Sequence, residues 1–321
     1  MVKVTFGEAR TKAVADLMRE DDDIVIVGGA SFGGLHHQVY SKPLFDEFDT
    51  RILRTPIAEL GFCGLAVGAA IAGLKPIVTI GTGSFAFEAW PQIVNEAPNI
   101  RYMSGGQVKC PVTFHTLGGI RLGGAAQHSA RPQAMLMQAA GLQVIAPALS
   151  GDVLPLLKGV MDNERPTFWI DHSLLTMEEW DDTLPEIPFG KARVVREGSD
   201  VTIVGYSIDL VRCIHAAGIL ATEGINAEVI DLRTLAPLDH ETILKSVAKT
   251  GLLVVSDECS PVCSVASEVS AIVAEEGFGT LRKPMQRINF ANVPVPMSAV
   301  LEEHLMPTVD KVVAAAKALM A

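Results

Sequence analysis

The sequence predicts an α/β protein built from two doubly wound domains with mainly parallel sheets. Three observations carry this. Short apolar runs such as Asp23-Ile24-Val25-Ile26-Val27, Val201-Thr202-Ile203-Val204 and Leu252-Leu253-Val254-Val255-Ser256 have the length and continuous apolarity of strands buried on both faces. Stretches of helical length separate them, which is the alternation of a parallel sheet covered by crossover helices. An acidic segment, Glu178-Glu179-Trp180-Asp181-Asp182 through Pro185 and Pro188, then interrupts the alternation as a linker would. The expected domains are therefore residues 1–188 and 189–321, and 321 residues suffice for two cores.

The elements follow in order. Residues 5–19 read as an amphipathic helix, and 23–27 as a buried strand ending at Gly28-Gly29. A short strand begins at Ile52-Leu53, a small-residue helix runs from Gly64 to Gly73, and residues 75–80 form a strand. Residues 90–103 are helical, with a break near Pro98. Residues 111–115 are a strand, followed by a glycine-rich loop from Gly118 to Gly124. Strands at 144–146 and 167–170 flank a helix at 152–161. After the linker, strands at 201–204, 227–231 and 252–256 alternate with helices at 209–223, 239–249 and 265–276.

Composition narrows the function classes. A net charge of −11 and a pI of about 5.2 argue against nucleic-acid binding. No run reaches the roughly 18 apolar residues of a membrane helix, and Met1-Val2-Lys3-Val4-Thr5 carries no signal-peptide pattern. Cysteines 63, 110, 213, 259 and 263 are sparse and odd in number, which fits a reducing cytoplasm rather than a disulfide framework. Cys259-x-x-x-Cys263 lacks a second Cys/His pair, so inert thiols outweigh a metal site. A hydrophobic share of 49% suggests surface buried against partners.

Glu59 stands out among the candidate chemical groups. It lies in Arg54-Thr55-Pro56-Ile57-Ala58-Glu59-Leu60-Gly61-Phe62-Cys63-Gly64, between a proline turn and an apolar small-residue helix. A carboxyl there is costly unless it holds or moves a proton. His128, beyond the glycine loop, sits where α/β sites form, although a structural or surface histidine is the commoner reading of that spacing. Gly29-Ala30-Ser31-Phe32-Gly33 matches a nucleophile elbow, but Pro43 interrupts the helix that should follow, so a glycine loop is favoured over a serine nucleophile. Gly81-Thr82-Gly83-Ser84-Phe85-Ala86 matches a dinucleotide fingerprint, yet Arg101 and Tyr102 stand where an acid should meet the ribose. His36-His37 reads as a solvated pair.

Taken together, these segments resemble a known family. Thr55-Pro56-Ile57-Ala58-Glu59 with Gly64-Leu65-Ala66-Val67-Gly68-Ala69-Ala70 is similar to the β subunit of thiamine-diphosphate-dependent 2-oxo acid dehydrogenases, the E1 component. Acetoin-type dehydrogenases and transketolase-like enzymes share this module. Gln92-Ile93-Val94-Asn95, Arg101-Tyr102-Met103-Ser104-Gly105-Gly106-Gln107, Ala126-Gln127-His128-Ser129, Asp200-Val201-Thr202-Ile203-Val204 and the run from Glu228 to Asp239 match as well, in order along nearly the whole chain.

The resemblance implies a pyrimidine-binding (PYR) domain and a transketolase C-terminal-like domain. It implies that Glu59 hydrogen-bonds N1′ of the aminopyrimidine and that Phe85 packs against that ring. Ile57 and Glu88 fall at neighbouring coenzyme-facing positions, and His128 matches an active-site histidine near substrate and acyl acceptor. The G-D-G…N-N motif that binds Mg²⁺ and diphosphate is missing. The resemblance therefore implies that a separate α subunit binds that end, in an α₂β₂ heterotetramer serving a lipoyl-bearing acyltransferase.

The expected reaction is cleavage of a C–C bond beside a carbonyl in a 2-oxo acid or acyloin, with acyl transfer to lipoamide. The alternatives are a split transketolase, with Arg101, Arg121 and Arg131 as candidate sugar-phosphate anchors, and a noncatalytic β-like scaffold. Departures from the family pattern lie at Gly28-Gly29-Ala30, Gly81 to Ser84, His36-His37 and Cys259 to Cys263. A segment that often holds K⁺ in relatives carries Asn163 and Arg165, and the arginine would repel a cation, so no ion is expected there.

Overall fold

A computed structural model describes residues 2–28 and 42–321. The readings at Ser31, at His36-His37 and at Gly29-Ala30 lie outside the described residues. The chain separates into two compact units, one of residues 1–119 and 127–189, the other of 120–126 and 190–321. The excursion at 120–126 is something a single cut near 188 does not contain.

The first unit starts with β1 (Lys3–Thr5) and α1 (Phe6–Glu20), followed by β2 (Ile24–Gly28), α2 (Lys42–Glu47) and β3 (Ile52–Arg54). Then come α3 (Glu59–Ile71), β4 (Lys75–Thr82), a 3₁₀ segment (Gly83–Ala89), a wide π-type turn (Pro91–Glu96) and α4 (Ala97–Met103). The chain continues through β5 (Thr113–Gly118), α5 (Ala125–His128), α6 (Gln133–Met137), β6 (Gln143–Ile145), α7 (Ser150–Asp162), β7 (Thr167–His172) and β8 (Glu179–Asp181).

Strands β3, β2, β4, β5, β7 and β6 lie side by side in that order, every neighbouring pair parallel. Register is set by pairs such as Ile26 with Ile77, Val78 with Phe114, and Phe114 with Phe168. Phe114, Phe168, Trp169 and Ile77 are fully buried, as residues of a sheet covered on both faces should be.

Local chemistry sets several boundaries. Thr5 and Glu8 form a capping box: Glu8 N donates to Thr5 Oγ1 at 3.2 Å and Thr5 N donates to Glu8 Oε2 at 2.9 Å. The break expected near Pro98 is a change of helix type, the π-type turn ending at Glu96 and α4 starting at Ala97. Pro98 lies in the first turn of α4, where its missing N–H costs no hydrogen bond. The acidic segment after Glu178 is only partly a linker, because Glu179–Asp181 pairs antiparallel with Lys3–Thr5. Backbone pairing to the N-terminal strand overrides its loop-like composition.

The second unit contains β9 (Arg193–Arg196), β10 (Val201–Gly205), α8 (Ser207–Thr222), β11 (Ala227–Asp231), β12 (Thr234–Ala236) and α9 (His240–Thr250). It continues with β13 (Leu253–Asp257), α10 (Val265–Glu275), β14 (Gln286–Asn289), α11 (Ala299–Leu305) and α12 (Val309–Met320). Its sheet runs β14-β13-β10-β11-β9, parallel except for the antiparallel edge strand β9. Both sheets are thus mainly parallel within an α/β fold.

Ile120 packs with Phe290, Val295 and Met306. Two buried carboxylates hold the same excursion: Ile120 N donates to Glu258 Oε1 at 2.7 Å and Gly123 N to Glu302 Oε2 at 2.8 Å. Arg212 bridges Glu258 and Asp209, and burial pushes the Asp209 carboxyl up against the pull of that arginine.

In the first unit Asp171 is a buried hub. Its carboxylate accepts from Arg10 at 3.2 Å and Trp169 Nε1 at 2.5 Å, and lies 3.0 Å from His115 Nε2. The His115 ring stacks on Trp169 with centroids 3.7 Å apart. Asp171→Ala removes the carboxylate from a buried arginine and is expected to cost about 3–5 kcal/mol, read as a lower denaturant midpoint. Burial holds His115 below the ordinary imidazole range, with Asp171 pulling the other way. The unfolded chain therefore binds that proton more readily, so stability should fall as pH drops below about 6.5. His115→Gln should flatten that limb of the pH–stability curve.

Candidate active site

Parallel strands release their connections at one sheet edge, and sites in such folds form at the carboxyl ends. Strands β3, β4 and β5 lie on the same side of the sheet with β2 between the first two. The segment after β3 carries Ile57 and Glu59, the one after β4 carries Phe85 and Glu88, and the one after β5 leads to His128. All five residues belong to the first unit.

Helix α3 begins at Glu59 rather than Gly64, so the carboxyl sits in the first helical turn instead of ahead of it. Ala58 precedes it without a side-chain cap, and Gly61 N and Phe62 N donate to the Ala58 carbonyl. The helix's positive end favours an acid at this place. Glu59 is half-buried, with one edge open to solvent. One turn on, Cys63 is fully buried; burial first and the Glu59 charge second push its thiol well above the ordinary range. Helix α3 packs on the 3₁₀ segment 83–89 and on the turn 91–96. Gly64 faces Gln92, at ordinary contact distance even for a Cβ, and the Gln92 Oε1 is buried without a hydrogen-bond partner.

The 3₁₀ segment takes shape from a register shift between Thr79 and Gly81 at the end of β4. Gly83 then lies so close to the next strand's connection that a Cβ would meet the Ala130 carbonyl oxygen at 2.8 Å. The glycines of the fingerprint-like run thus serve a bulge and a close backbone approach. Thr82 Oγ1 donates to the His128 carbonyl at 3.0 Å, and Ser84 Oγ donates to the Gln127 carbonyl. These bonds bring Phe85 against His128, ring centroids 5.5 Å apart and edge-on at 72°. Sequence reasoning missed Thr82 and Ser84; a hydroxyl at each position of a strand end was the only signal.

Phe85 is half-buried, His128 and Glu88 are exposed, and Ile57 is 78% exposed. This set fits one end of a thiamine coenzyme. It offers a carboxyl for a ring nitrogen, an aromatic face and an uncovered apolar side chain, beside the unpaired Gln92 oxygen. Among the described residues no group of three or more His, Cys, Asp or Glu could hold a metal ion. Cys259 is buried against the Tyr206 hydroxyl and Cys263 is exposed. Arg101 lines a surface cleft with Arg165, and neither Arg121 nor Arg131 lines it. No described helix is long and apolar enough to cross a membrane.

A thiol reagent at pH 8 should titrate one cysteine in the native chain, Cys263, since the other four are buried. Denaturation should expose all five, and Cys263→Ser should abolish the native reaction. Gly83→Val forces apart two tightly packed backbones and should destabilise the first unit by about 1–3 kcal/mol, read by thermal melting.

Comparison with known proteins shows the family. Residues 2–175 match the family model of the transketolase pyrimidine-binding domain, and residues 190–312 that of the transketolase C-terminal domain. The chain is 38% identical to the pyruvate dehydrogenase E1 component subunit beta of Rickettsia felis, over 98% of both chains. It is 37% identical to the acetoin:2,6-dichlorophenolindophenol oxidoreductase subunit beta of Cupriavidus necator, over 99% of this chain and 98% of the relative. A solved split-gene transketolase, described as an inactive β4 tetramer, matches at TM-score 0.77 and 26% identity, over 99% of this chain and 98% of that one. The chain belongs to the transketolase-like family of thiamine-diphosphate-dependent 2-oxo acid and acetoin dehydrogenase E1 β subunits.

Proposed function

We propose that this chain is the β subunit of an enzyme that cleaves the C–C bond beside a carbonyl in a 2-oxo acid or acyloin and passes the fragment to lipoamide. The observation that carries the reading is Glu59 in the first turn of α3, on the sheet edge it shares with Phe85 and His128, in a chain that matches E1 β relatives from end to end.

When bound, thiamine diphosphate supplies the carbon nucleophile and the electron sink for the reaction. The chain's own residues bind and orient it. Glu59 offers its carboxyl to N1′ of the aminopyrimidine and holds the proton shared there. Phe85 presents a ring face for the pyrimidine, Ile57 an apolar wall and Glu88 a second polar group at the rim. His128, held through Thr82 and Ser84, moves a proton at the substrate or acceptor.

We assign the diphosphate end and its Mg²⁺ to a separate α subunit, in an α₂β₂ assembly that serves a lipoyl-bearing acyltransferase. Support comes from the uncovered apolar side chains Ile57, Leu60, Leu65 and Ile71 in and before α3. Covering them would also remove water from Glu59. Five free cysteines suit a reducing compartment, and we place the protein in the cytoplasm.

The split-transketolase reading is favoured by the likeness to a solved structure of that kind. Ketose phosphates need convergent cations, for which Arg101, Arg121 and Arg131 are the candidates. Turnover by the chain with its α partner should be found on 2-oxo acids or acetoin and not on ketose phosphates. Glu59→Gln should leave assembly intact and lower kcat by a factor on the order of 10² to 10⁴, the usual weight of a proton-handling group. Unchanged turnover in that variant would remove Glu59 from the chemistry.

A further inference from the structure

Helix α4 ends at Met103, and the chain turns back through Gly105 and Gly106, with φ of 64° and 86°. Nothing lies within 4 Å of where a Cβ would stand on either glycine, so the turn borders open space. Nearby, Glu164 takes a φ of 52° in the turn before β7 and is followed by Arg165 and Pro166. Between these two turns is a cleft of about 490 Å³, lined by Arg101, Tyr102, Pro98, Arg165 and Pro166. That is the size of a small-molecule site. None of the residues argued for the coenzyme lines it.

Its charge is unbalanced. Among the described residues neither Arg101 nor Arg165 has an acidic partner. The carboxylate beside them, Glu164, is bonded to Lys109 at 2.6 Å. The Lys109 hydrogen bond, and then the charges of Lys109, Arg101 and Lys75, hold that carboxyl below its ordinary range. Positive charge therefore exceeds negative here, on a chain whose net charge is −11. Guanidinium forks match phosphate oxygens in pairs. A bare phosphate would leave the rest of the cleft unfilled, whereas a tyrosine ring that is 88% exposed suits a flat organic body.

We propose that this cleft binds a nucleoside phosphate, with its phosphate on Arg101 and Arg165 and its base against the exposed ring of Tyr102. Calorimetric titration of the full chain with ADP, inorganic phosphate and adenosine tests this. ADP should bind more tightly than either fragment, and its affinity should fall with added salt. Arg101→Ala and Arg165→Ala should each weaken ADP by about tenfold or more, the weight of a charged hydrogen bond. Both side chains are exposed, so the melting temperature should hold. Tyr102→Ala should weaken ADP and leave phosphate unchanged. Glu59→Gln should leave ADP binding unchanged, which separates this site from the coenzyme reading. Absence of ADP binding, ADP no tighter than phosphate, or ADP indifferent to both arginine substitutions would each overturn the proposal.

Discussion

The parallel register of the first sheet is the constraint on which the candidate site depends. Parallel strands all point the same way, so every connection that follows a strand leaves from one edge. Here β3, β4 and β5 deliver Glu59, Phe85 and His128 to that edge from positions far apart in the chain. A single antiparallel strand among them would send one of the three to the opposite end. The buried side chains that fix the register, Ile26, Ile77, Phe114 and Phe168, therefore decide where the candidate groups stand.

The edge is finished by short-range polar contacts. Thr82 and Ser84 tie the 3₁₀ segment to the backbone before Ser129, and Gly83 permits the approach. The consequence is a Phe85 ring held edge-on to His128 while both retain an accessible side. Glu59 is half-buried. A carboxyl in that state gains from the helix terminus behind it and pays little desolvation.

Buried charge is concentrated at hubs that contain none of the candidate site residues. Asp171 gathers Arg10, His115 and Trp169 inside the first unit, and Glu258 with Glu302 secures residues 120–126 inside the second. Asp171 and Glu258 meet N–H donors with both oxygens, whereas Glu302 does so with Oε2 alone. Such arrangements give unique packing at the cost of sensitivity to pH or to loss of one partner.

The buried apolar strands, the two α/β alternations and the family were legible in the sequence, because continuous apolar runs and the Glu59 and His128 segments are local patterns, whereas the edge strands Lys3–Thr5, Arg193–Arg196 and Gln286–Asn289 carry no such run. Helix starts were less so: α3 begins at Glu59, since the apolar count that marks a helix interior says little about its uncapped first turn. The strand at Glu179–Asp181 was illegible, because its stability comes from backbone bonds to Lys3–Thr5, far away in the chain. The same holds for the pairing of Arg101 with Arg165 around one cleft and for the assignment of residues 120–126 to the second unit. The sequence by itself determined the family, the candidate chemical groups and the buried apolar strands, through composition, period and motif. Tertiary structure alone decided which of them meet, because register, close backbone approach and burial act between residues that no local pattern connects.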